Sequence, residues 1–220
     1  MSAAPQIQAD AAAAAPSRTV GHFQLGECIG RGASAAVFRG LNLLTGETVA
    51  VKQLRQEGMA SQADQIALEI DLLKQLRHPN IVALHGFEES GQHLYIFMEL
   101  CENGSLQETI RKFGKVPEQL VAIYMGQVLR GLAYLHGQGV IHRDIKSANI
   151  LSTKDGSVKL ADFGIATRQH QGAADNTIVG SAYWTNFLIE CFQRDPSLRI
   201  SASSLCQHPW LSNSMVAYAR

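Results

Sequence analysis

The sequence lacks several features that mark whole classes of protein. Its four cysteines are scattered without CxxC spacing, which disfavours a zinc site and favours reduced thiols. Lys+Arg and Asp+Glu both number 19, so no net charge attracts nucleic acid or an anionic membrane. No apolar run reaches the ~18 residues needed to span a bilayer. We therefore expect a cytoplasmic protein that binds neither nucleic acid nor membranes.

The N-terminal segment is rich in alanine and almost free of large apolar residues. It has no basic region before a leucine-rich core, which argues against a secretory signal. A single basic residue, Arg18, together with Asp10, also makes it a poor organellar transit peptide. The segment cannot bury enough surface to offset the entropy lost on ordering. Residues 1–22 are therefore predicted to form a disordered tail.

Strands dominate the pattern after Phe23 and helices dominate later. Runs of β-branched and aromatic residues predict strands at 23–30, 35–44, 48–54, 81–89, 93–100, 149–153 and 157–162. Apolar periodicity predicts helices at 61–77 and 117–136, and a further helix that Thr185 or Asn186 caps, with Ser201 capping the next. This order predicts an α+β fold of two lobes, with residues 23–101 forming the β-rich lobe and 102–220 the helical lobe.

A glycine-rich run, Gly30-Arg31-Gly32-Ala33-Ser34-Ala35, follows the first predicted strand. Glycines let backbone N–H groups approach phosphate oxygens closely. The run alone is weak evidence, because an ordinary hairpin turn explains it about equally well. A dinucleotide-binding loop requires a helix to follow it, whereas a strand follows here.

Two charged residues extend this signal. Lys52 ends the strand VAVK, and the next predicted helix places Glu69 on its inner side. An ammonium that contacts phosphates needs a carboxylate to hold its flexible chain in place. A lone strand lysine, by contrast, usually faces solvent.

The main signal is the run His142-Arg143-Asp144-Ile145-Lys146-Ser147-Ala148-Asn149, followed by Asp162-Phe163-Gly164. Carboxylate and amide oxygens from two loops suit Mg²⁺ ions that bridge phosphates. One carboxylate is then left to receive a hydroxyl proton. Chance occurrence of these motifs in this order and spacing is remote.

Residues 23–184 resemble a eukaryotic protein kinase on these motifs. Lys146 within HRDIKSAN resembles the Ser/Thr rather than the Tyr kinases. The stretches RHPNIV, FMELCENGSL and VGSAYW are similar to the STE group, in particular to the kinase-kinase-kinase branch that includes septation-initiation kinases. The expected fold is therefore the bilobal kinase fold with a β-rich N-lobe and a truncated helical C-lobe.

The resemblance implies a role for each matching residue. It implies that Asp144 orients and deprotonates the substrate hydroxyl, that Lys146 steadies the transferred phosphoryl group, and that Lys52, held by Glu69, contacts the α- and β-phosphates. It implies that Asn149 and Asp162 bind Mg²⁺. The remaining ATP-binding residues that it implies are Ile29, Gly30, Arg31, Gly32, Ala33, Ser34, Ala35, Val37, Ala50, Met98, Glu99, Cys101 and Leu151, of which Met98 is the gatekeeper.

A regulatory hypothesis follows from Arg143. An arginine beside the catalytic aspartate can pair with a phosphorylated residue of the activation segment. Thr177 is the leading candidate and Thr167 a distant second, although Thr177 is alternatively a plain loop residue. Ser181 is expected to hydrogen-bond near Asp144.

The resemblance breaks after Trp184. The family continues there into an APE motif, whereas this chain passes directly into TNFLIECF and RDPSLR, which resemble the family's last helices. An internal deletion of ~70 residues is the simplest interpretation, given the usual size of such a domain. Arg199 then loses its glutamate partner and is expected to stay solvated. The apolar faces of the 117–136 helix and the 187–192 helix are expected to lose their usual cover.

Two functional hypotheses remain at this stage. One is an ATP-dependent Ser/Thr kinase acting on a protein substrate, with a downstream kinase as one candidate. The other is a truncated kinase that binds ATP–Mg²⁺ without transferring phosphate, and acts as a binding or regulatory protein. The complete catalytic set favours the first and the missing APE region favours the second. The sequence does not indicate an oligomeric state.

Overall fold

The computed structural model describes residues 18–32, 35–55, 74–162 and 182–212. Eight strands are assigned within these ranges: β1 (Arg18–Val20), β2 (Phe23–Arg31), β3 (Ala35–Asn42), β4 (Thr48–Arg55), β5 (Leu84–Ser90), β6 (His93–Glu99), β7 (Ile150–Ser152) and β8 (Val158–Leu160). The helices are α1 (Leu106–Phe113), α2 (Glu118–Gly137), α3 (Ala182–Cys191) and α4 (Ala202–Leu205), and Ser147–Asn149 form one 3₁₀ turn. None of the helices described is long and apolar enough to cross a membrane.

The first six strands form one antiparallel sheet in the order β1-β2-β3-β4-β6-β5. The prediction of a disordered tail is wrong for its last residues, because Arg18–Val20 pair with β2. Val20 is buried beside Phe23, and the side chain of Arg18 lies over the ring of Tyr95. These contacts supply the burial that the tail's composition did not reveal. Residues 1–17 lie outside the described part of the chain.

One face of the sheet has its own apolar core, in which Phe23 stacks on Phe97 with ring centroids 3.9 Å apart. The other face of the sheet contributes to a core shared with the helical lobe. Leu54 and Ile96 from the sheet share a core with Val128 and Leu135 from α2. Because this second core contains side chains from both lobes, it fixes the sheet above the loops that follow α2.

Helix α2 is the centre of the helical lobe. Pro117 stands immediately before its first residue, as the sequence predicts. On the side away from the sheet, Leu129 packs with Phe187 of α3 and with Leu205 of α4. Gly131 allows close contact with the preceding loop, because a Cβ atom there would lie 2.8 Å from the carbonyl oxygen of Asn80.

The predicted start of α3 is wrong. The helix begins at Ala182 rather than after Thr185 or Asn186, because no proline or glycine interrupts the chain between Ala182 and Cys191. The predicted cap of α4 is confirmed, since Ser201 Oγ accepts from the backbone N–H of Ser204 at 3.1 Å. Residues 74–77 are not helical, so the predicted helix at 61–77 does not extend to its expected end.

Candidate active site

The central contact of the site joins the two lobes. Lys52 lies on β4 between its register partners Val37 on β3 and Ile96 on β6. Its ammonium forms an ion pair with the carboxylate of Asp162, 110 residues further along the chain. A strand of the sheet and the segment after β8 therefore converge where the sequence predicts a phosphate and metal site.

Asp144 lies at the centre of a second polar cluster. Lys146 Nζ is 2.7 Å from Asp144 Oδ2. Asn149 Nδ2 donates to both Asp144 Oδ2 and the Asp144 carbonyl oxygen at 2.9 Å, because the 3₁₀ turn brings it back over the loop. The Lys146 ammonium, with help from Asn149, holds the pKa of Asp144 below its usual range despite some desolvation. Asp144 is therefore ionised at neutral pH.

His142 joins the two clusters. Its ring is buried, with Nε2 2.9 Å from the carbonyl oxygen of Ala161, and Nδ1 accepts from the backbone N–H of Asp144 at 3.3 Å. Burial lowers the pKa of His142, so the neutral ring with its proton on Nε2 satisfies both contacts. His142 thus holds the loop of Asp144 against the residue that precedes Asp162.

Backbone strain is confined to the same place. Arg143 and Asp162 are the non-glycine residues with positive φ in the described ranges, at 66° and 60°. Such conformations cost about 1–3 kcal/mol each and persist only where the surroundings enforce them. The backbone N–H of Ala161, donating to the Asn149 carbonyl oxygen at 2.9 Å, is one such constraint.

The donor set fits Mg²⁺. Because the Nδ2 atom of Asn149 makes both of its hydrogen bonds, Oδ1 has no hydrogen-bond partner among the described residues. This oxygen and the Asp162 carboxylate are hard donors of the kind that Mg²⁺ takes alongside phosphate oxygens and water. The described residues contain no group of three or more His, Cys, Asp or Glu that could hold a metal alone. Asn149 and Asp162 would therefore hold an ion that a nucleotide also ligates.

Apolar residues of both lobes form the expected adenine side. Leu151 of β7 and Met98 of β6 pack with buried Cys101, and Ala50 is the register partner of Met98. Burial raises the pKa of the Cys101 thiol to about 12, so it stays neutral. The backbone N–H of Glu99 donates to the Ala83 carbonyl oxygen at 2.9 Å. Glu99 would therefore have to contact a nucleotide through another group.

The described residues of the glycine-rich run, Gly30–Gly32 and Ala35, lie where the antiparallel strands β2 and β3 end and begin. Gly30 pairs with Val37, and the N–H of Gly32 donates to the Ala35 carbonyl oxygen at 2.8 Å. Ile29 and Arg31 lie on β2 beside this turn. The strand β3 therefore follows the run, which agrees with the sequence argument against a dinucleotide-binding fold.

Several predicted site residues lie outside the described ranges. They are Glu69, the loop residues Ala33 and Ser34, and the activation-segment residues Thr177, Thr167 and Ser181. Their roles stay predictions. Arg143 is described and exposed, next to Asp144.

Sequence reasoning missed an ion pair that also spans the lobes. Lys159 Nζ on β8 lies 2.6 Å from Glu99 Oε1 on β6, and the same carboxylate accepts from the Ala83 N–H at 3.2 Å. The pair connects the expected adenine strand to the strand that leads into Asp162. Alternation along VKLAD marks Lys159 as facing opposite to its neighbours, but only the fold shows which carboxylate it meets.

The site can be compared with known proteins now that its geometry is established. The protein kinase domain family matches residues 23–186. The chain belongs to the protein kinase family. Its kinase relatives include the cytokinesis protein sepH of Emericella nidulans, 43% identical over 255 residues, covering 87% of this chain and 19% of that protein. Cell division control protein 7 of Schizosaccharomyces pombe is 42% identical over 250 residues, covering 85% of this chain and 23% of that protein.

Further relatives place this kinase among the serine/threonine kinases. MAP3K epsilon protein kinase 1 of Arabidopsis thaliana is 38% identical, covering 87% of this chain and 19% of that protein. A crystal structure of Rad53 residues 1–466 with AMP-PNP has a TM-score of 0.74 and 26% identity, covering 86% of this chain and 65% of that one. This kinase thus spans about a fifth of the length of these curated relatives. The fold and the Ser/Thr kinase family expected from the motifs are confirmed.

Proposed function

We propose that this chain binds ATP with Mg²⁺ in the cleft between its lobes and transfers the γ-phosphoryl group to a Ser or Thr hydroxyl of a protein. The carrying observation is the convergence of Lys52 on Asp162 beside the cluster of Asp144, Lys146 and Asn149. Mg²⁺ supplies positive charge at the phosphate oxygens when it is bound. The Rad53 structure, solved with AMP-PNP, supports a nucleotide in this cleft.

Each residue of the cluster has a distinct task. Asp144 is ionised and exposed enough to accept a hydrogen bond from a substrate hydroxyl, which it orients towards the phosphate. The low basicity of Asp144 is sufficient for this task, because in a loose transition state the proton of the substrate hydroxyl is transferred late. Lys146 offsets the charge of Asp144 and lies close enough to contact the transferred group. Lys52 exchanges the carboxylate of Asp162 for phosphate oxygens.

The finer role follows from the relatives. We propose that the substrate is a downstream kinase in a signalling cascade, as the name MAP3K epsilon protein kinase suggests for one relative.

All four cysteines are free thiols, which supports the cytoplasm as the compartment. We propose that Arg143, which is exposed beside Asp144, pairs with Thr177 once Thr177 is phosphorylated. Thr177→Ala should lower phosphoryl transfer and leave ATP binding intact, and unchanged transfer would exclude this regulation.

A second candidate function has its own support. We propose that a segment after Trp184 has been deleted, and that the chain binds ATP–Mg²⁺ without transferring phosphate. The alignment with sepH runs over 255 residues, whereas 87% of 220 residues is about 191, so about 64 aligned positions have no residue here. The family match ends at residue 186, within helix α3. Sequencing the transcript across the codons for Trp184 and Thr185 tests the deletion.

One pair of assays separates the two functions. A thermal shift with ATP and Mg²⁺ reports binding, and phosphate transfer to a generic basic protein reports catalysis. For an active kinase, Asp144→Asn should lower transfer at least roughly 100-fold and preserve the thermal shift, because the lost group orients and accepts a proton. Asp195→Asn, in a turn of the helical lobe, is the matched control and should change neither measurement.

The result decides between the candidates. Transfer that depends on Asp144 establishes the kinase. A thermal shift without transfer establishes the binding function instead. If neither occurs with the wild-type chain, both candidates are wrong.

A further inference from the structure

The outer face of the sheet carries a basic groove of about 400 Å³. Its lining includes Arg18 of β1, Arg31 of β2, Arg55 of β4 and His93 of β6. Four different strands therefore bring cationic or titratable side chains to one depression. Ala36 of β3 also lines it, and its small side chain gives the groove depth.

This groove borders the glycine-rich run, since Gly32 and Ala35 also line it, but it opens on the face of the sheet opposite to Lys52. Side chains alternate between the faces of a strand. On β4, Lys52 contacts Asp162 and Leu54 belongs to the core shared with α2. Gln53 and Arg55, which line the groove, therefore face the opposite side of the sheet.

Among the residues that the structure describes, little negative charge faces the groove. Its lining contains no carboxylate, and Arg31 and Arg55 make neither an ion pair nor a hydrogen bond with any residue that the structure describes. Arg18 is held by the Tyr95 hydroxyl and lies 5.3 Å from the ring centroid. Gln53 donates to the same hydroxyl at 3.2 Å. One guanidinium is thus fixed in place and the other two are open to an anion.

We propose that this groove binds a phosphorylated side chain on a protein segment. Guanidinium groups match phosphate oxygens with paired hydrogen bonds, and several of them around one phosphate favour a doubly charged group over a single carboxylate. A nucleic acid would need an extended basic surface, whereas the charge here is local and the chain is neutral overall. The lining contains no large apolar side chain that would enter a membrane.

Fluorescence anisotropy of the full chain tests the proposal. The probe is a labelled phosphothreonine peptide, compared with its unphosphorylated form and with a single-stranded oligonucleotide, in the presence of excess ADP and Mg²⁺. We expect only the phosphopeptide to bind tightly. Arg55→Gln should weaken that binding roughly tenfold, since one charged hydrogen-bonding group is lost. Arg111→Gln, an exposed arginine of α1, is the matched control and should leave the affinity unchanged.

A second variant excludes binding in the cleft. Lys52→Gln should keep phosphopeptide affinity, because Lys52 faces away from the groove. The proposal is overturned if both peptides bind equally or if the oligonucleotide binds preferentially. It is also overturned if Arg55→Gln and Arg111→Gln lose the same peptide affinity, or if Lys52→Gln alone loses it. Unchanged melting temperatures for Arg55→Gln and the wild-type chain show that the sheet is intact.

Discussion

At the scale of single residues, His142 determines how the catalytic loop is held. It is 1% exposed, and both ring nitrogens contact backbone groups on either side of the site. These contacts lie next to the two strained residues, Arg143 and Asp162. A buried neutral imidazole thus helps to maintain a conformation that the backbone alone disfavours.

This arrangement predicts a pH-dependent stability. Since burial lowers the pKa of His142 in the folded chain below 6.5, the unfolded state binds more protons just below that pH. The stability that the neutral His142 ring contributes is complete above about pH 6.5, and it is lost as the pH falls towards the pKa of His142 in the folded chain. The melting temperature should therefore fall between about pH 7 and pH 5.5, and His142→Gln should flatten this slope.

Controls distinguish this residue from other groups. The pKa of His78 is also lowered, but its ring is only half-buried, so His78→Gln should flatten the slope less. The pKa of Asp144 is lowered from 3.8, so the stability that the ionised carboxylate contributes is lost at more acid pH than the change caused by His142. A slope that His142→Gln leaves unchanged would show that this ring is not the titrating group.

At the scale of elements, helix α2 packs closely against the loop of Asn80 and against β8. Gly131 places the helix against Asn80, and Asn80 Nδ2 donates to the Val158 carbonyl oxygen on β8 at 2.9 Å. Strand β8 in turn leads to Asp162. Close packing at one glycine therefore helps to position the carboxylate of Asp162.

Two glycine replacements in α2 test this packing. Gly131→Ala should lower the free energy of unfolding by about 1–3 kcal/mol, because its Cβ would lie 2.8 Å from the Asn80 backbone and force the helix away. Gly126→Ala is the matched control, with its nearest contact 3.7 Å away at the Arg130 side chain. The free energy of unfolding of Gly126→Ala should rise by up to about 1 kcal/mol, because alanine has the higher helix propensity. Urea denaturation measures both, and equal gains would contradict this account.

At the scale of the whole molecule, the helical lobe has an incompletely covered apolar surface. Val121, Met125, Phe187 and Trp210 line an apolar groove of about 350 Å³. Ile189, Phe192 and Leu198 are 54%, 67% and 70% exposed. The expectation that the 117–136 and 187–192 helices lose their usual cover through a deletion stays a prediction. Arg199 is exposed as expected, and its Nε donates to the Gln193 carbonyl oxygen at 2.7 Å.

The exposed surface predicts self-association. Phe192→Gln should reduce the concentration-dependent rise in mass measured by size-exclusion chromatography with light scattering, because it removes a large apolar group from this surface. Phe113→Gln is the control, since Phe113 is 81% exposed but lies on α1, away from the surface. If the two replacements act equally, general hydrophobicity rather than this surface drives association.

The sequence by itself determined the family and most of the elements that the structure describes. The spacing of Asp144, Asn149 and Asp162 identified the kinase family before any coordinates, because hard oxygen donors in that order have few other uses. The strands and α2 followed from local periodicity, which burial of one face imposes on the chain. The deleted segment remains a proposal, which rests on the motif order and on the length of the alignments.

Only the tertiary structure decided the long-range pairings. Arg18 joined the sheet instead of a tail because Tyr95, far along the chain, offers a ring and a hydroxyl to its guanidinium. The pairing of Lys159 with Glu99 and the cationic groove beside Arg55 likewise depend on strand neighbours that are remote in sequence. Periodicity fixes which face a side chain takes, but sheet order fixes which residues share that face.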